Sequence, residues 1–258
     1  MDITQKTRIG KGALVAACVL CLTGGAFADV PDVVFEVTAA SGPLSVTVPI
    51  LSEWGEYNPT TQTWSWTSTE PIQFWANNHS VFLGSLNDFS ASLVGDPEVN
   101  LNFSVQAGPS DTMFHIASAL LDGFDPITNA MGYAHASFSL TDFDGNTATL
   151  TGTCPNGGAY LAQYNGWAGA PGGPLGTTFA EGITQMNAGM IQTVTQDFDH
   201  PVSGYLPISG TVNNMSSLIS FELSHDDLAS GTSNFVIIPE PAALASLALC
   251  SLLAFRRR

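Results

Sequence analysis

From Asp29 to Ile238 the sequence contains no lysine and no arginine. All six basic side chains lie near the ends, as Lys6, Arg8 and Lys11 and as Arg256, Arg257 and Arg258. Of the 22 acidic residues only Asp2 and Glu240 fall outside this central body, which leaves 20 carboxylates there with five histidines as the side-chain cations. Nucleic-acid binding draws its affinity from Lys and Arg at phosphates, so no nucleic-acid partner is expected. Walker-type phosphoryl transfer, arginine fingers, Schiff-base catalysis and Ser-Lys dyads need the same missing groups. Attraction to an anionic membrane surface goes with them. Carboxylates without basic partners must spread into solvent or be bridged by a divalent cation, because close like charges repel. Apart from calcium in that bridging role, no cofactor is expected.

Cysteine is equally scarce. Cys18, Cys21 and Cys250 lie in apolar terminal segments, so the body carries Cys154 alone and an intramolecular disulfide is excluded. Cys154 stands in the turn-like run Thr153-Cys154-Pro155-Asn156-Gly157-Gly158 and reads as a free or buried thiol rather than a nucleophile. Helical periodicity is also missing outside the two ends.

The body instead alternates. Asn100 to Gln106 places Leu101, Phe103 and Val105 on one face and polar residues on the other. Similar runs occupy Val33–Thr38, Leu44–Ile50, Thr63–Thr67, Val81–Leu86, Phe89–Val94, Met113–Leu121, Ser137–Phe143, Thr147–Thr151, Met190–Gln196 and Leu218–Leu223. Gly, Pro, Asn and Asp separate them at short intervals, the pattern of an antiparallel sandwich. The expected fold class is therefore all-β, an antiparallel β-sandwich of jelly-roll or Ig-like type. A Gly- and Pro-rich stretch, Gly166 to Gly176, reads as a long loop, because the segment from Thr177 to Ile238 is too short for a second sandwich.

The ends differ from the body. Three basic residues, an apolar run from Ala13 to Leu22 and the small-x-small sequence Ala26-Phe27-Ala28 before Asp29 make a secretory signal helix over residues 1–28, with cleavage after Ala28. Signal peptidase and the Sec machinery are the partners this implies. At the other end Phe235 to Phe255 is largely apolar. Ala242 to Phe255 makes a short transmembrane helix of about 21 Å at 1.5 Å per residue, borrowing thickness from its flanks. Arg256, Arg257 and Arg258 hold that end in the cytoplasm and so place the body across the membrane.

Pro239-Glu240-Pro241, one hydrophobic span and a terminal basic cluster, in that order, resemble the PEP-CTERM sorting signal of bacterial exported proteins. The resemblance covers residues 239–258, and its motif is intact although the span is brief. It implies recognition by a membrane-embedded transpeptidase of the exosortase type, removal of the span, and delivery to the cell surface, outer envelope or extracellular matrix. It also implies a Gram-negative, exopolysaccharide-producing setting. The chain thus divides into a signal peptide (1–28), an acidic sandwich (29–238) and the sorting tail (239–258).

Candidate sites within the body are few. Asp142-Phe143-Asp144-Gly145-Asn146 has oxygen ligands at alternate positions (Asp142, Asp144, Asn146), as calcium loops do, but lacks the glycine and glutamate an EF-hand requires. Flanked by two alternating runs, its Asp-Gly reads first as a hairpin turn. His225-Asp226-Asp227 reads as a solvated loop. Trp54, Tyr57, Trp64, Trp66 and Trp75 crowd together, and Trp64 and Trp66 share one strand face. Core packing is their ordinary role, and a glycan-stacking surface facing extracellular polysaccharide is the alternative. The expected function is that of a non-enzymatic exported surface or matrix protein. A carbohydrate-binding module and a secreted polysaccharide hydrolase working through two carboxylates are the rival readings.

Overall fold

The structure, a computed structural model, describes residues 30–167 and 176–240. The expected signal helix, Ala26, Ala28, Asp29, Pro241, the transmembrane helix and Arg256 to Arg258 lie outside those residues. Among the described residues no helix is long and apolar enough to cross a membrane.

Strands in chain order are β1 (Val33–Ser41), β2 (Leu44–Leu51), β3 (Glu56–Asn58), β4 (Thr63–Thr67), β5 (Ile72–Ala76), β6 (Val81–Val94) and β7 (Glu98–Ala107). Then come β8 (Thr112–Ser118), β9 (Ile127–Thr128), β10 (Ala130–Thr141), β11 (Ala148–Gly152), β12 (Tyr160–Tyr164) and β13 (Thr177–Gly182). The last are β14 (Gln185–Ala188), β15 (Thr193–His200), β16 (Leu206–Pro207), β17 (Thr211–Val212), β18 (Met215–Leu223) and β19 (Leu228–Pro239).

One sheet runs β13-β12-β18-β8-β1-β2, with β11 and β14 added beside β18. The other runs β15-β10-β19-β7-β6-β4-β3, with β16 on β10 and β5 on β6. All pairings within both sheets are antiparallel. Strands on both sides of the Gly- and Pro-rich stretch pair with one another, as β12 with β13 and β18 with β8.

Alternation explains why the sheets stack. β10 buries every second residue from Ala130 to Leu140, and β7 does the same from Val99 to Ala107. The inner faces meet through aromatic rings: Phe221 of β18 lies 5.9 Å from Phe103 of β7 and 6.0 Å from Phe138 of β10, while Phe35 of β1 lies 5.5 Å from Phe89 of β6. Fully burying side chains of this size stabilises by roughly 1.5–3 kcal/mol each.

Four sequence expectations change. Val81–Leu86 and Phe89–Val94 form one strand, β6, whose register slips between Leu86 and Asp88, which is where the apolar period breaks. Met190 and Ile191 are exposed turn residues ahead of β15 rather than the start of a strand. Asp142 to Thr147 is not a hairpin. β10 pairs with β15, β16 and β19, whereas β11 pairs with β14 and β18 in the opposite sheet, so this segment crosses between layers. Finally, Phe235 to Ile238, expected to lend thickness to a membrane span, is the end of central strand β19, with Phe235 and Ile237 fully buried.

Candidate functional site

β19 delivers the first residues of the Pro239-Glu240-Pro241 motif to one rim of the sandwich. It pairs with β10 from Thr141↔Leu228 to Ala130↔Pro239, and with β7 from Gln106↔Leu228 to Glu98↔Val236. Glu240 N–H donates to Asn129 O at 2.9 Å, and Ile237 N–H donates to Pro97 O at 3.0 Å. Odd positions at this end thus bond toward β7 and even ones toward β10. Pro239, which lacks an N–H, falls where the β10 ladder requires none, so the strand continues through the first residue of the motif. Pro239 and Glu240 are both exposed.

The outer face of the same sheet carries transverse rows of small polar side chains. Thr67, Ser90, Asn102, Thr232, Ser137 and Asp197 stand opposite one another across six strands. A groove of about 490 Å³ crosses this face from Thr67 to Ser139, lined mainly by Ser, Thr and Asn, with Phe89, Phe103 and Gly231 also contributing and Asp88 as its one carboxylate. At about 4.8 Å per strand the five strands it crosses give it a length of roughly 20 Å. Asn102 Nδ2 donates to Ser90 Oγ at 3.1 Å and Ser137 Oγ donates to Asp197 Oδ1 at 2.5 Å. Ser104, Ser230 and Thr232 keep hydroxyls that no side chain among the described residues engages. Each such hydroxyl can donate and accept.

At one edge of this face Asp199 Oδ1 accepts from Tyr133 Oη at 2.5 Å and lies 3.0 Å from His135 Nδ1. These two partners hold the Asp199 carboxyl below its ordinary range, and the hydrogen bond to Asp199 pushes Tyr133 up to about 12. With lysine and arginine missing, histidines are the basic side chains that stand beside carboxylates. His225 Nδ1 lies 3.4 Å from Asp111, and its Nε2 lies 3.8 Å from Asp144.

The expected calcium residues converge only in part. Asp142 is buried, and burial raises its pKa. Backbone N–H groups of Ile191, Gly145 and Thr147 outweigh that and hold it below the usual carboxylate range. Asp142 thereby staples the layer-crossing loop to the turn before β15. Asn146 Nδ2 donates to Asp144 Oδ2 at 2.6 Å. Asp227, a solvated loop residue by sequence, is instead fully buried and comes within 4.8 Å of Asp142 and Asp144. Its pKa is raised, chiefly by burial and further by those two carboxylates, against hydrogen bonds from Ser224 Oγ and Phe143 N–H.

The tryptophans divide. Trp64 is 1% exposed, packs 6.4 Å from Phe35 and donates its indole N–H to Ser52 O at 2.9 Å. A Cβ on Gly55 would fall 2.5 Å from its ring, so that glycine lets the backbone close over the indole. Trp66 is half-buried against Phe89 and Trp54. Trp64 and Trp66 do share a face, but it is the inner one, which leaves Trp54 (42% exposed) and Tyr57 as the open aromatics of this region. Cys154 is buried, and burial pushes its thiol well above the ordinary value, against nucleophilic use. Ser220 Oγ lies 3.3 Å from His115 Nδ1, yet Ser220 is buried and its own N–H is bound to Ala159 O.

No protein-family model and no curated protein matches the chain. Two solved chains from infectious bursal disease virus align across most of it. The Gt strain chain covers 81% of this chain and 66% of its own length, at 8% identity and a TM-score of 0.13. The Gx strain chain covers 82% and 67%, at 9% identity and 0.12. Likeness at that level carries no argument about fold or role.

Proposed function

We propose that this is an exported, non-enzymatic protein of the bacterial surface or extracellular matrix, secreted through residues 1–28 and sorted by a PEP-CTERM tail over 239–258. The observation that carries the reading is the ordered coincidence of Pro239-Glu240-Pro241, the apolar run and Arg256-Arg257-Arg258, standing where a central strand leaves the body with Pro239 and Glu240 exposed. The partners are signal peptidase, the Sec machinery and an exosortase-type transpeptidase. Sheets of eight and nine strands favour a jelly-roll wrap over the smaller Ig-like arrangement. The buried Cys154 thiol and the missing lysines and arginines favour a non-catalytic body. Glu240→Ala should trap the protein in the membrane fraction while wild type leaves it. Equal fractionation of the two would refute sorting by this motif.

A second reading, carbohydrate binding, is favoured by the hydroxyl-lined groove and transfers its site from Trp64 and Trp66 to the outer face of β4, β6, β7, β19 and β10. Hydroxyls and amides that both donate and accept suit uncharged polysaccharide, while 20 carboxylates without lysine or arginine disfavour an anionic one. Asp88 stands as the one lining carboxylate, where glycoside hydrolysis uses two. Thr232→Leu, which fills the groove, should abolish retention on an uncharged glucan. Retention surviving Thr232→Leu but lost with Trp54→Ala would return the site to the aromatics.

A further inference from the structure

We propose that the folded body itself gates removal of the tail: the end of β19 must peel from β10 before the sorting enzyme can take hold of the motif. This inference rests on the sorting reading above and concerns the regulation of that same site.

The motif joins the fold without a spacer. Pro239 is still in register opposite Ala130, and Glu240 N–H is still bound to Asn129 O at 2.9 Å. An enzyme that binds an extended segment uses the segment's main-chain groups along its edges. Here Ala130 of β10 and Asn129 just before it already occupy one edge as far as Glu240, so Pro239 and Glu240 offer the enzyme side chains but not a free strand. Access therefore requires local opening, and strand ends open at lower free energy than the core. The structure also limits that opening. Ile238 is half-buried and Pro239 exposed, so the last residues detach at little cost. Ile237 is fully buried and its N–H is held by Pro97 O at 3.0 Å, so peeling stops there and the sandwich stays folded. Such a gate would leave the motif open while the body is unfolded and, once the body has folded, would set the rate of release by fraying.

Pulse labelling of the full chain in its host, read as the rate of tail loss, tests the gate. Gly-Ser-Gly-Ser inserted between Ile238 and Pro239 supplies the missing spacer. Tail loss should accelerate roughly two- to tenfold, the ratio corresponding to one hydrogen bond of ordinary net strength. Met131→Gly loosens the residue paired with Ile238 while leaving the motif-bearing strand unaltered, and should shift the rate in the same direction. The same four residues inserted between Ser203 and Gly204 should leave it unchanged. Unchanged or slower tail loss in both the spacer variant and Met131→Gly would overturn the gate while leaving sorting intact. Failure of wild type to lose its tail at all would instead overturn the sorting reading, and the gate with it.

Discussion

Trp64 and Trp54 lie ten residues apart in opposite environments, and their truncation separates core from surface. Trp64→Ala empties a filled core position and should cost about 3–5 kcal/mol of unfolding free energy, whereas Trp54→Ala should change it little. Equal small effects in denaturant melts would contradict the placement of Trp64. The Tyr133–Asp199 pair predicts the alkaline limb of stability. Tyr133 has a folded pKa raised from 10.0 to about 12, so its contribution is complete below pH 10 and is lost as pH rises toward 12. Tyr133→Phe should remove that component from an alkaline unfolding curve. Asp199, held low, contributes oppositely, with stability that is present at neutral pH and lost as acid protonates it. Asp142 already has its oxygens occupied by three backbone N–H groups, so no cation is needed to explain its position. Calcium should accordingly raise the thermal midpoint no more than magnesium does. A calcium-specific rise would make Asp142, Asp144 and Asp227 a ligand set.

Elements are legible in the sequence where one face is buried and the other wet. β4 and β7 emerge from alternation alone, because large apolar and polar residues take turns along them. β12 is not legible, since its first four residues are all buried and no period of two survives. β19 is hidden twice over. Its first half, Ala229-Ser230-Gly231-Thr232-Ser233, is built of small residues, with Gly231 required because a Cβ there would meet Phe138 Cδ1 at 2.6 Å. Its second half, Phe235 to Ile238, merges in sequence with the apolar tail. Asp-Gly at 144–145 looks like a hairpin because turn chemistry is local, whereas pairing across layers depends on residues far along the chain. The hydroxyl groove is invisible for the same reason, being assembled from five strands whose individual Ser and Thr residues carry no signal. As the central strand between β7 and β10, β19 should tolerate truncation poorly. Phe235→Ala is expected to cost about 3–5 kcal/mol in equilibrium unfolding, and a cost near zero would contradict its central place.

The whole molecule joins an acidic body, free of lysine and arginine from Asp29 to Ile238, to ends that carry all of its basic residues. Self-repulsion within such a body is long-ranged and screened by salt. Its thermal midpoint should therefore rise between low and physiological ionic strength, and a fall would mean that attractive pairs dominate. The terminal asymmetry is a property of the sequence alone, because basic, apolar and small-residue order is a linear code, and it carries the proposal of export followed by tail removal. The most direct measurement is the intact mass and both terminal peptides of the protein recovered from its host's surface and medium. The account predicts a chain beginning at Asp29 and lacking the sequence after about Pro241. Recovery of an intact Ala242 to Arg258 tail in the membrane fraction, with none released, would contradict it.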